Sequence, residues 1–165
     1  MFLLRYVALL ALVVWVGGLV ALGGIAAPAT FDVMAARQVA DGRVLAGAVF
    51  GEILRRFFLA SMGAAAVILV SLVLRRILGP KPRHFGWRAG ILLLMIASSV
   101  YAGIFVAGRI AAIQSSMTVA PSSLPESDPR RVEFGRLHAT SSALQLVPLV
   151  GGLALIFWEL RESWR

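Results

Sequence analysis

Four long apolar runs fill most of the chain, at Phe2–Ala27, Phe57–Leu78, Gly90–Ile113 and Leu137–Leu160. Each reaches the ~20 residues that cross a ~30 Å hydrocarbon core at 1.5 Å of helical rise per residue. Lipid offers no partner to backbone N–H and C=O groups, so runs of this kind must satisfy them internally, as helices. The expected fold is all-α: a four-helix transmembrane bundle, up-down-up-down, forming a single integral membrane domain over residues 1–165.

Composition removes several alternatives. Hydrophobic residues make up 59% and charged residues 15%, a balance foreign to soluble domains of this length. Cysteine is absent, which excludes disulfides, thiolate metal sites and thiol catalysis. The net charge of +8 would suggest a polyanion partner in a soluble protein. Here the cations sit in short segments between spans, where they set orientation or meet anionic headgroups of the lipid bilayer. No basic stretch is interleaved with a base-stacking platform, so no nucleic-acid partner is expected.

The hinge between the second and third runs holds Arg75, Arg76, Lys81, Arg83 and Arg88 with no acidic residue. The positive-inside rule places that hinge and both termini in the cytoplasm, with the segments around Thr30–Arg56 and Gln114–Arg136 outside. The inner (plasma) membrane of a cell is the expected compartment. Arg5 and the sequence around Ala27 have some look of a cleaved signal peptide. The apolar stretch is longer than the usual h-region of roughly 7–15 residues, and a retained first helix is expected.

Pro28 is suited to ending the first helix. Val33–Phe58 mixes apolar and charged residues at helical spacing and is expected to be an extra interfacial helix running into the second span. Gly79–Pro82 is a hard turn, and Pro121–Pro129 a proline- and serine-rich loop.

A functional site would need polar side chains at membrane depth. The fourth span aligns His138, Ser141, Ser142, Gln145 and Gly152 near one stripe, with Pro148 expected to kink it. Ser98, Tyr101, Ala102, Phe105 and Arg109 form a stripe on the third. Such stripes should face neighbouring helices. Arg109, His138, Glu52, Arg55 and Arg56 all fall toward the outer side, where one polar cluster would bind a ligand, with Ser141 and Gln145 beside it. The blander readings are interface anchoring for Arg109, a packing histidine for His138, and local pairing of Glu52 with Arg55 or Arg56. Trp15 falls mid-span and should face the bundle, whereas Trp87, Trp158 and Trp164 suit interface anchors. Gly47 and Gly51, and the glycines at 17, 18, 23 and 24, permit close helix contact. Met34 and Met117 are soft ligands but isolated, weak evidence for copper(I).

Trp15–Gly18 followed by Ala27–Phe31 resembles the first-span signature of the family called domain of unknown function 4149, shared with the transmembrane-protein-205-like membrane proteins. The resemblance continues through Ala46–Gly51 and Arg109–Ile113 to Phe134–Ser141 at the opening of the last span. One departure is Gln145, where the family pattern leads one to expect Asn. The resemblance implies a four-helix integral membrane protein and no particular activity. A more distant similarity to copper-resistance D-type proteins and the haem-synthesis membrane oxidase makes haem or copper an alternative to having no cofactor. Against it, the first span lacks a histidine, and His84 and His138 lie on opposite sides.

Three readings stay open at this level. The protein binds or moves a small solute or ion, supports a membrane assembly as a homo- or hetero-oligomer, or is a haem- or copper-linked redox protein. A non-enzymatic role is favoured.

Overall fold

The structure, a computed structural model, describes residues 2–37, 41–79, 84–117 and 119–163, excluding the side chains of 162 and 163. The predicted contributions of Lys81, Arg83 and Trp164, and most of the Gly79–Pro82 turn, lie outside these residues. Six α-helices follow one another: α1 (Phe2–Ala21), α2 (Ala27–Ala36), α3 (Gly42–Leu78), α4 (Phe85–Val100), α5 (Ala107–Ser115) and α6 (Pro129–Ser163). Short π-helical segments, Leu22–Ala26 and Tyr101–Val106, fuse α1 to α2 and α4 to α5. Four helical rods result, each long and apolar enough to cross a membrane, and the chain is an all-α membrane protein.

Charge spacing sets the membrane-embedded layer. No Asp, Glu, Lys or Arg occurs between Arg56 and Arg75, between Arg88 and Arg109, or between Arg136 and Glu159. These stretches rise roughly 30 Å, the thickness of the hydrocarbon core. The rods themselves are 31–37 residues long, so each extends beyond that layer.

The rods form a ring in which α1 packs between α3 and α6, α4 packs on α6, and α3 and α4 touch less extensively. Leu12, Trp15, Ala64, Ala65, Ile68, Leu92, Met95 and Leu155 make the core. Trp15 faces inward as expected, at 1% exposure, while Trp87 is exposed and Trp158 packs at the core edge. Glycines set the closest approaches. Phe57 lies against Gly18 of α1 and its neighbour Phe58 against Gly103 in the second π segment, while Val16 fills the space over Gly152. Gly47 approaches the Gln114 side chain, but Gly17, Gly23, Gly24 and Gly51 face open space.

Two expectations need correction. Pro28 does not end the first helix. The π segment just before it lets the Ala27 N–H donate to the Leu22 carbonyl, one residue beyond the α-helical partner. That extra residue accommodates the proline's missing donor, and the rod continues to Ala36. The predicted interfacial segment Val33–Phe58 runs into the second span as expected, but its first residues, to Ala36, belong to α2. From Gly42 onward it is the first half of α3, packed against α2 along its length. The chain turns between them at Asp41, whose φ of 56° is a left-handed conformation that Asp tolerates better than most residues. His84, with φ 55°, makes the equivalent entry to α4.

Pro148 is fully buried inside an unbroken α6, where it lacks the N–H that the Leu144 carbonyl would otherwise receive. At the start of α6, Asp128 caps the helix. Its Oδ1 accepts from the Arg130 backbone N–H at 2.8 Å, and Pro129 occupies the first helical position. Hydrogen bonds from the Arg130 side chain and backbone hold the Asp128 carboxyl below its ordinary pKa. A folded-state pKa below the unfolded one adds stability that is complete above the ordinary aspartate range and disappears as pH falls through the lowered value. Asp128→Ala is therefore expected to lower the melting temperature slightly at neutral pH. Thermal scans of both proteins from pH 7 into strong acid should show the difference vanish only at the acid end.

Candidate functional site

On each rod, the residue that ends the core stripe at one end of the bundle is charged. In α6 the buried positions Pro148, Gly152 and Leu155 lead to Glu159. In α3, Ile68 and Leu72 lead to Arg75; in α4, Met95 and Leu92 lead back to Arg88. In α1, Leu12 and Ala8 lead back to Arg5. Helical periodicity thus aims all four charges at the bundle axis, at the border of the hydrocarbon layer.

They meet on one carboxylate. Glu159 Oε1 accepts from Arg75 Nη1 at 2.7 Å and from Arg88 Nη1 at 2.8 Å. Arg5 Nη2 donates to the Glu159 backbone carbonyl at 2.6 Å, and its Nε stands 3.4 Å from Oε2. Arg88 Nη2 reaches the Trp158 carbonyl at 3.4 Å. Guanidiniums at the end of α6 also complement the negative pole of that helix. Arg75, Arg88 and Glu159 are buried, and Arg5 is partly exposed. A small cavity adjoins the cluster. It measures about 20 Å³ and is lined by Arg75, Arg88 and Glu159 below a layer of aliphatic side chains.

Of the residues expected to form an outer cluster, only Glu52, Arg55 and Arg56 are joined to one another by a described hydrogen bond or ion pair; Arg109 and His138 are not joined to them. Arg109 Nη2 donates to Glu133 Oε1 at 2.9 Å, and both are exposed. Glu52 accepts from Arg55 at 2.7 and 2.8 Å and from Arg56 at 2.8 Å, all within α3. His138 is exposed and its ring stacks on Phe134, with centroids 6.2 Å apart. Ser142 Oγ donates to the His138 carbonyl, so part of that polar stripe satisfies itself along its own helix. Ser141 and Gln145 are half-buried and make no side-chain hydrogen bond among the described residues.

No three His, Asp or Glu side chains among the described residues stand close enough to hold a metal ion. His84 opens α4 near the Glu159 end, while His138 lies 21 positions before Glu159, roughly 31 Å along α6. The two histidines do not fit a shared set of haem or copper ligands.

The Glu159 cluster was not expected as a site. In the sequence Arg75 and Arg88 stand as orienting charges and Arg5 as an N-terminal charge. The available signal was register: each lies three or four residues, then seven, from core positions of its own helix.

The family model described as Domain of unknown function (DUF4149) matches residues 10–118. The chain belongs to this family. The matched stretch contains Arg75 and Arg88, whereas Arg5, Glu159 and the Phe134–Ser141 resemblance lie beyond it. Membership in the domain of unknown function 4149 family carries no assigned activity, and the membrane architecture rests on the four long apolar rods. No curated protein and no solved structure is significantly similar to the chain.

Proposed function

We propose that this protein is a non-enzymatic, multi-pass membrane protein acting as a closed structural partner in a membrane assembly, with its Glu159 end in the cytoplasm. The observation that supports this reading is the sharing of Glu159 by Arg5, Arg75 and Arg88, one from each of the other rods. A carboxylate shared in this way fastens the rods at one end and opposes separation of any of them. The adjoining cavity, at about 20 Å³, is far smaller than a solute-binding pocket. The Arg-rich hinge and Arg161 at the same end support the cytoplasmic assignment.

Proteoliposomes separate this role from transport. Vesicles carrying the wild-type protein should pass protons, potassium, chloride and phosphate no faster than protein-free vesicles. Protein extracted gently from its native membrane should migrate as a species larger than the 17.7 kDa chain with its detergent shell. A wild-type flux above the protein-free control would overturn the structural role in favour of ion or solute movement. A strictly monomeric native species would overturn the assembly.

A further inference from the structure

Glu159 is 8% exposed, yet its two oxygens are treated unequally. Oε1 receives two guanidinium hydrogen bonds, whereas Oε2 is buried and accepts none. Arg5 Nε lies 3.4 Å from Oε2 as an ion-pair contact without making that hydrogen bond. An ionised oxygen removed from water and left without a donor is costly, and native structures rarely tolerate one. Glu159 also lines the cavity of about 20 Å³. About 10–15 Å³ suffices for one water, so the space fits a single molecule and little more.

The lining chemistry selects the occupant. A second anion would face the carboxylate, and an alkyl group would leave Oε2 unsatisfied. A metal cation would stand among arginines with a single carboxylate to hold it. Water can donate to Oε2, and its own oxygen can accept from guanidinium N–H groups of Arg75 or Arg88, which line the same cavity. Leu12, Leu72, Leu92 and Leu155 line the cavity on the core side.

We propose that the cavity beside Glu159 is a binding site for one water molecule, which donates to Oε2 and is an integral part of the charged cluster. The site would exist whether the protein is a closed structural partner or moves an ion. It also makes Ala8, whose small side chain lines the cavity, a residue that preserves space for the water.

Crystals of the wild-type protein grown in a lipidic mesophase, diffracting well enough to show ordered waters, test this directly. The expected result is one density peak about 2.5–3.0 Å from Glu159 Oε2, at hydrogen-bond distance. The same crystals of Ala8→Leu should lose the peak, because the larger side chain occupies its place. An empty wild-type cavity, an Oε2 bonded to a protein donor instead, or density for a larger group would each overturn the proposal. A peak that survives unchanged in folded Ala8→Leu would place the water elsewhere and overturn it too.

Discussion

Glu159→Leu is expected to destabilise the folded bundle by about 3–5 kcal/mol, the cost of removing one partner from a buried ion pair. For a chain of this size that corresponds to a melting-temperature loss of roughly 6–20 °C, measured by tryptophan fluorescence in mild detergent. The expectation rests on burial: Arg75 and Arg88 side chains are 7% and 3% exposed where they meet the carboxylate. The exposed Arg109–Glu133 pair sets the contrast, since solvent and headgroups screen such pairs and Glu133→Gln should change little. Replacing the buried charges together provides the internal control. Buried ion pairs are often matched by apolar residues of similar volume, so Arg75→Met/Arg88→Met/Glu159→Leu should recover much of the lost stability. A single variant as stable as wild type would show that the cluster does not fasten the bundle.

Among substitutions at Gly152, Gly151, Gly17 and Gly63, Gly152→Ala is expected to be the most damaging, at about 1–3 kcal/mol of overpacking. A Cβ there would collide with Val16 Cγ2 of α1, a branched and buried side chain with few alternative rotamers. At the adjacent Gly151 the added carbon meets Met95 Cγ at 2.9 Å and Sδ at 3.0 Å, and an unbranched methionine yields more easily. Gly17→Ala and Gly63→Ala meet nothing within 4 Å and should be neutral or slightly stabilising, since alanine is the better helix former. Melting curves for the four variants should follow that order. Val16→Ala combined with Gly152→Ala should restore part of the loss. Equal damage at Gly17 and Gly152 would mean that the substitution acts through the helix backbone, not through the α1–α6 contact.

Individual residues show how far the sequence could be taken. The four spans and the inward-facing Trp15 follow from runs and periodicity, because lipid leaves the backbone one solution and local spacing records which face is apolar. Pro28 misled because its usual effect on a helix is local, whereas the compensating π segment depends on α2 finding a packing surface on α3. The segment before Phe57 looked like an interfacial helix because charges are mixed into it. Beside α2 it simply extends the rod, with Phe31 and Phe50 in edge contact across the pair. Glu52 illustrates the opposite case: its partners are three and four residues away, and the local pairing was visible as one of its readings.

The class of molecule follows from the chain alone: hydrophobic runs of membrane-crossing length, separated by charged connectors, admit only a helical membrane bundle. The chain also carries the family likeness in its short motifs. That Arg5, Arg75, Arg88 and Glu159 share a site is a product of the folded arrangement, since the hydrogen-bonded partners of Glu159 are separated from it by 71 to 154 positions in the chain. Helical periodicity fixes the direction in which each charge points from its own axis. Which rods stand beside one another, and at what height, is set by packing among Gly152, Val16, Met95 and the paired phenylalanines, and that packing brings four separately ordinary charges onto one carboxylate.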